Sequence, residues 1–295
     1  MEQNELDFQE LKKIITTRIR GIYQPPWAVA FSGGGMRAAA HIGVIKAFEE
    51  NDIFPDMIAA SSTGSIIAAA YGLGMEAEEI LRFFIAEKEN LLNIKRRDDL
   101  TRPLDDGARA RAAALGADAL ESVLSALFGE RDFSEMKAPC YIVATDLTHG
   151  KEAVFSQGSV AKACRAGMSI PGLFMPYVHE EAIIVDGFVI NNLPANVLRE
   201  NGAEIVLGIN AHAGKNARAV STDISDVFNA TVEMLSASCM QAGMEESDLV
   251  IEPKMDCFAM FSADEESIRK MYETGYEAAM SKLDDIAALF VRNNS

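Results

Sequence analysis

Two strand–turn–helix units follow one another within about fifty residues, and they constrain this chain more than anything else in it. The first is Trp27-Ala28-Val29-Ala30-Phe31, a short continuous apolar run, then Ser32-Gly33-Gly34-Gly35-Met36-Arg37, then Met36 to Asn51 with Ile42, Val44, Ile45 and Phe48 at helical spacing. The second, Met57 to Gly74, runs an apolar strand through Ser61-Ser62-Thr63-Gly64 into an alanine-rich helix. Strands apolar on both faces, each leading into a helix, predict an α/β domain with a mostly parallel central sheet.

The rest of the chain extends that pattern. Glu5 to Arg20 reads as an amphipathic helix, set apart by Gln24-Pro25-Pro26 as an N-terminal segment over 1–24. One domain over 25–295 follows, with a strand-free stretch at about 76–135 expected as a helical cap. Strands are expected at Tyr141–Ala144 and Ala153–Phe155 about a turn at Thr148–Lys151, then at Ala182–Val185, Glu204–Ile209 and Leu249–Ile251. Helices are expected at Ala195–Asn201, over about Ile224–Ala242, and from a capping box at Ser262-Ala263-Asp264-Glu265 into the 280s.

Composition narrows the partners. A net charge of −17 over 295 residues repels polyanions, which excludes nucleic acid and simple attraction to an anionic membrane. The opening MEQNELDFQELKK has no basic stretch followed by an apolar core, so a cytoplasmic location is expected. Ile58 to Met75 is uncharged, yet its serines, glycines and alanines suit a buried helix better than lipid. Cys140, Cys164, Cys239 and Cys257 are widely spaced and expected as buried free thiols, with no metal site. The sequence sets no oligomeric state.

Chemistry concentrates at the two turns. Consecutive glycines let N–H groups converge on one point, so Gly33, Gly34 and Gly35 form an anion trap. Its anion is a cofactor phosphate, since Gly33 to Ala38 also fits G-x-G-x-x-G/A, or the oxyanion of a tetrahedral intermediate. The dinucleotide reading expects an acidic residue at the tip of the second strand, and Ser62 stands there instead. Ala60-Ser61-Ser62-Thr63-Gly64 approximates the G-x-S-x-G elbow with Ser62 as nucleophile; the competing reading is a helix N-terminus capped by Ser61 or Ser62. His41, His149, His179 and His212 are not spelled like a triad histidine. Asp186 closes the apolar strand Ile183-Ile184-Val185-Asp186-Gly187-Phe188 and is the better partner, with an ordinary Asp-Gly turn as the competing account.

These segments together resemble the patatin-like phospholipases, in particular the bacterial branch. Gly33-Gly34-Gly35-Met36-Arg37 is similar to the family's oxyanion loop, Ser62 falls on its elbow serine, and Asp186-Gly187-Phe188 falls on its D-G-G/A segment. Ser169 to Phe174, Asn191-Asn192-Leu193-Pro194 and Ser247 to Ile251 also look like family segments. The resemblance implies a three-layer α/β/α fold and a cofactor-free serine acyl-ester hydrolase. Asp186 serves Ser62 without a histidine, Gly33, Gly34 and Gly35 hold the oxyanion, and Arg37 fixes the loop or meets an acidic head group. A lipid or acyl ester is the implied substrate, with transient contact with a membrane surface. Ala60, Ala38 and Phe188 depart from the pattern; Phe188 is bulky enough to narrow the acyl channel toward lysophospholipids or short esters. Ala60 keeps a non-catalytic regulator on the same fold open. The same residues leave room for an acyltransferase, related to the serine–histidine transacylases, and for a nucleotide-binding module.

Overall fold

The computed structural model describes residues 26–91, 106–212, 220–261 and 263–292. The helix expected at 5–20 and the basic cluster Lys95–Arg97 lie outside the described residues. In chain order the elements are β1 (Trp27–Phe31), a 3-10 turn at Gly35–Ala38, α1 (Ala39–Glu50), β2 (Met57–Ser61), α2 (Gly64–Gly72), α3 (Ala77–Leu91) and α4 (Asp106–Phe128). Then come β3 (Cys140–Asp146), β4 (Lys151–Phe155), α5 (Val160–Gly167), β5 (Tyr177–His179), β6 (Ala182–Asp186), α6 (Ala195–Glu200) and β7 (Ile205–Ile209). The chain closes with α7 (Ile224–Ser238), α8 (Gln241–Glu246), β8 (Leu249–Ile251), α9 (Glu265–Met280) and α10 (Leu283–Arg292).

One mixed sheet organises these elements. β3, β2, β1, β7 and β8 are parallel neighbours, and β4, β5 and β6 join antiparallel. Both faces of the parallel strands are covered, as their unbroken apolar runs require. On one face Val29, Phe31, Ile58 and Ala60 join the large core with α1, α2 and α9; on the other Ala28, Ala30 and Ala59 meet Leu193, Leu198 and Met240. Helices on both faces make the expected three layers.

The edges of β3 decide where the site forms. β4 pairs along Ile142–Asp146, filling one edge. The other edge is shared end to end: β2 runs parallel beside Cys140–Val143, and β6 enters antiparallel beside Ala144–Asp146. The carboxyl ends of β2 and β6 therefore meet, with Ser61 beside Val143 and Asp186 beside Ala144.

Several expectations need adjustment. The helix expected over Ile224–Ala242 is two helices, α7 and α8. The final helix is also two, separated at Ser281-Lys282, and Asp264 caps α9 by accepting from the Ser267 N–H at 2.8 Å. Within the stretch expected as a cap, α3 and α4 pack against α1, α5 and each other as an extra layer of helices. All four thiols are free, but only Cys140 and Cys164 are buried; Cys239 is half-buried and Cys257 exposed.

Candidate active site

Ser62 follows the last residue of β2 and precedes α2 with φ 51°, in the left-handed region that a non-glycine residue enters only where its surroundings hold it. This sharp reversal turns its side chain out of the sheet line toward the end of β6. There the Ser62 hydroxyl donates to Asp186 Oδ2 at 2.8 Å. The two residues are 124 positions apart in sequence. Ser62 is 4% exposed and Asp186 fully buried.

The elbow's small residues have unequal reasons to be small. A Cβ on Gly64 would run into the Ser32 carbonyl, because α2 starts against the beginning of the glycine loop. Ala60 lies within regular β2, opposite Phe31 and Ile142, and its methyl group is part of the core. Glycine is required after the serine, and alanine suffices before it.

Asp186 is held through its backbone as well as its side chain. Its N–H donates to the Ser169 carbonyl at 3.1 Å, and its carbonyl accepts from Thr145 Oγ1 at 2.9 Å. Oδ1 accepts from the Phe188 N–H at 3.0 Å, leaving Oδ2 for Ser62. Burial pushes the carboxyl up to about 7, against the opposing pull of the Phe188 N–H and the Ser62 hydroxyl. Behind it, buried Arg165 donates to Ser169 Oγ at 2.6 Å and to the Met175 carbonyl at 2.9 Å.

The glycine loop lies directly against the serine: a Cβ on Gly33 would sit 2.7 Å from Ser62 Cβ. Its N–H groups divide into two sets. Gly33 donates to both Asn192 O and Asn192 Oδ1 at 3.1 Å, Met36 to Met260 O at 2.7 Å, and Arg37 to Gly34 O at 3.2 Å. The N–H groups of Gly34 and Gly35 have no protein partner among the described residues. Of the three N–H groups expected to converge, that of Gly33 is bonded and those of Gly34 and Gly35 are open. Gly33 is engaged by Asn192, whose amide also donates to the Ser236 carbonyl at 3.3 Å. Arg37 points away from the bend, donating through Nε to Phe258 O at 2.8 Å and approaching Glu233 Oε1 at 3.4 Å. That arrangement suits fixing the loop rather than meeting a head group.

None of the four histidines bonds to Ser62 or Asp186. His41 donates through Nε2 to the Ser32 carbonyl at 2.8 Å, and burial lowers its pKa to about 4, so it stays neutral. His149 pairs with Asp146 at 2.7 Å, and His212 Nε2 bonds the Glu233 carbonyl at 3.0 Å.

Above Ser62 lies a small cavity of about 10 Å³, roughly the room for one water. Its apolar walls include Ile170, Phe188, Val232, Met260 and Phe261. Among the described residues, none of its lining comes from the stretch expected as a cap; α7 supplies Val232 and Ser236. Among the described residues no three metal-ligating side chains cluster, and no helix is long and apolar enough to cross a membrane.

Known proteins share this arrangement of elements. Human GIVD cytosolic phospholipase A2 superposes with a TM-score of 0.57 at 10% identity, over 96% of this chain and 62% of that one. VipD from Legionella pneumophila gives 0.54 at 14% identity, over 89% and 67%. In sequence, an uncharacterized NTE family protein of Mycobacterium tuberculosis is 33% identical over 173 residues, 58% of this chain and 27% of its own length. Human patatin-like phospholipase domain-containing protein 6 is 28% identical over 212 residues, 69% of this chain and 14% of its own. This chain thus spans under a third of the length of either sequence relative. The patatin-like phospholipase profile matches residues 29–199, more than half of the chain, and the chain belongs to that family.

Proposed function

We propose that this protein is a serine acyl-ester hydrolase acting on lipid acyl esters through a Ser62–Asp186 dyad. The observation that carries the reading is the 2.8 Å bond from the Ser62 hydroxyl to a buried carboxylate whose pKa stands near neutrality. A base with that pKa exists in its accepting form at neutral pH and still holds a proton well enough to return it.

In the proposed sequence, Ser62 Oγ attacks the ester carbonyl carbon as its proton passes to Asp186 Oδ2. The resulting oxyanion accepts from the N–H groups of Gly34 and Gly35, which are in place before the charge develops. Collapse expels the alcohol, which takes the proton from Asp186, and leaves an acyl group on Ser62. Water then attacks the acyl-enzyme with Asp186 again as base, releasing the acid and restoring the serine. Gly33 acts indirectly, by tying the loop to Asn192. Phe188, on the wall of the cavity, favours a lysophospholipid or short ester over a two-chain lipid.

Fluorophosphonate labelling combined with hydrolysis across ester chain lengths tests the reading. The wild-type protein should label at Ser62 and cleave esters, whereas folded Ser62→Ala should do neither. Turnover retained by that variant removes Ser62 from the role. Ala60, the motive for a non-catalytic regulator, gives that reading little support, since its methyl group fits regular strand without disturbing the turn.

A further inference from the structure

Between α5 and β5 the chain makes a short loop, Ser169 to Met175, that serves the site twice. The Ser169 carbonyl accepts the Asp186 N–H at 3.1 Å, and Ile170 forms part of the cavity wall over Ser62. Arg165, in the last turn of α5, grips both ends of this loop. One terminal nitrogen of its guanidinium donates to Ser169 Oγ at 2.6 Å and the other to the Met175 carbonyl at 2.9 Å. Ser169 Oγ donates in turn to the Arg165 carbonyl at 3.0 Å, so the hydroxyl is fixed both as donor and as acceptor.

Stability alone does not call for a guanidinium here. The Arg165 side chain is 4% exposed, while the acid facing its Nε at 3.3 Å, Glu121 on α4, is 58% exposed. The charge is thus withdrawn from water and met by a partner that solvent screens, a costly arrangement. Leu173 and Phe174 already anchor the loop by burial. What an apolar side chain or a lysine cannot supply is a planar fork that reaches two oxygens at a fixed separation. From this geometry we propose that Arg165 is a positioning residue for the Ser62–Asp186 reaction: it holds the Ser169–Met175 loop closed, and through that loop the backbone of Asp186 and the Ile170 wall. It acts through Ser169, not by contact with the reacting atoms. The inference rests on the hydrolase reading above, and its test separates the two.

Thr145 Oγ1 restrains the same backbone through the Asp186 carbonyl, which permits a double-mutant cycle between Arg165→Lys and Thr145→Val. The full chain is assayed for kcat on p-nitrophenyl butyrate. Arg165→Lys keeps the charge and loses the fork, so alone it should lower kcat by about three- to tenfold. Because both residues restrain one backbone, the double variant should lose at least about threefold more than the product of the single losses. Glu121→Gln, which removes the acid and leaves the fork, should keep the wild-type rate. Amide hydrogen exchange over 183–188 should quicken in Arg165→Lys and stay as in wild type in Glu121→Gln. If Arg165→Lys does not fold, Ser169→Ala, which deletes one of the fork's two acceptors, takes its place in the cycle and in the exchange measurement with the same expected signs. The proposal is overturned by single losses that simply multiply, by unchanged exchange in Arg165→Lys, or by a Glu121→Gln rate as low as that of Arg165→Lys. Quickened exchange in Arg165→Lys of a protein that cleaves no ester would uphold the clamp on Asp186 and remove the hydrolase reading.

Discussion

The two sides of the β2–β6 junction build their share of the site differently. On the β1–β2 side the chemistry is local: glycine loop, strand, serine and helix start all lie within Phe31–Gly64, and adjacent parallel strands bring the two turns together. On the β6 side Asp186 arrives on an antiparallel strand from more than a hundred residues away, and long-range bonds from Ser169 and Thr145 set its place. The conformation of Ser62 is held by sterics that tolerate little change. The carboxylate is placed by a few replaceable hydrogen bonds, while its burial sets its acidity.

The largest effect that separates the two sides comes from Asp186→Asn. Ester hydrolysis should fall on the order of a hundred- to ten-thousandfold, the range of a lost general base. In the wild-type protein the rate should rise with pH through about 7, because Asp186 accepts the serine proton only when ionised. Stability should run the opposite way. A folded-state pKa raised above the unfolded value means that the folded chain binds the proton more tightly, so stability is lost as pH climbs from the ordinary carboxylate range to about 7. That loss is on the order of a few kcal/mol. Thermal melts should accordingly show Asp186→Asn more stable than wild type at pH 8 and similar to it at pH 4. A variant less stable at pH 8 would mean that the carboxylate is compensated, and not penalised, where it sits.

A smaller effect probes the other side of the junction. Gly64→Ala drives a methyl group into the Ser32 carbonyl and should cost about 1–3 kcal/mol of overpacking, measured by urea unfolding. It should also lower the ester rate, because the carbonyl it displaces begins the glycine loop. Ala60→Gly should cost about 1–2 kcal/mol through added chain freedom and the loss of a buried methyl group, and leave the rate unchanged. Equal losses of rate at the two positions would contradict the claim that only the glycine after the serine faces a backbone wall.

That asymmetry also explains what the sequence discloses. The strands of the parallel half are visible because burial on both faces writes an unbroken apolar run, and the turns are visible because only glycine and a small polar residue fit them. The antiparallel flap is less legible. Tyr177–His179 has one residue half-buried and two exposed, so β5 carries no apolar signal and is recognised only through its pairing with β6. Helix α5 follows the turn at Gln157-Gly158 with lysine and arginine among its eight residues, and its core face is too short to register as a period. In the site itself, Ser62, Asp186 and the glycine loop are legible as motifs. The capture of the Gly33 N–H by Asn192 is not, because hydrogen bonds between residues 159 apart leave no local pattern. Asn192 and Ser169 have a weak signal in the segments resembling the family, but nothing in their spelling separates a positioning role from a catalytic one.

The smallest effect tests how Asp186 is held. Thr145 Oγ1 donates to the Asp186 carbonyl from the neighbouring strand, while the Asp186 N–H bonds to Ser169 and Phe188 anchors Oδ1. Thr145→Val keeps the shape and removes only the hydroxyl, so it should cost about 1 kcal/mol in stability. With two of the three restraints intact, the carboxylate should stay within reach of Ser62 and the ester rate should fall by less than about tenfold, under 1.4 kcal/mol on the barrier. The pH at which the rate rises should not move, because the burial that sets it is unchanged. A displaced pH profile in Thr145→Val would mean that the hydroxyl tunes the carboxylate itself, and the separation between what places Asp186 and what sets its acidity would fail.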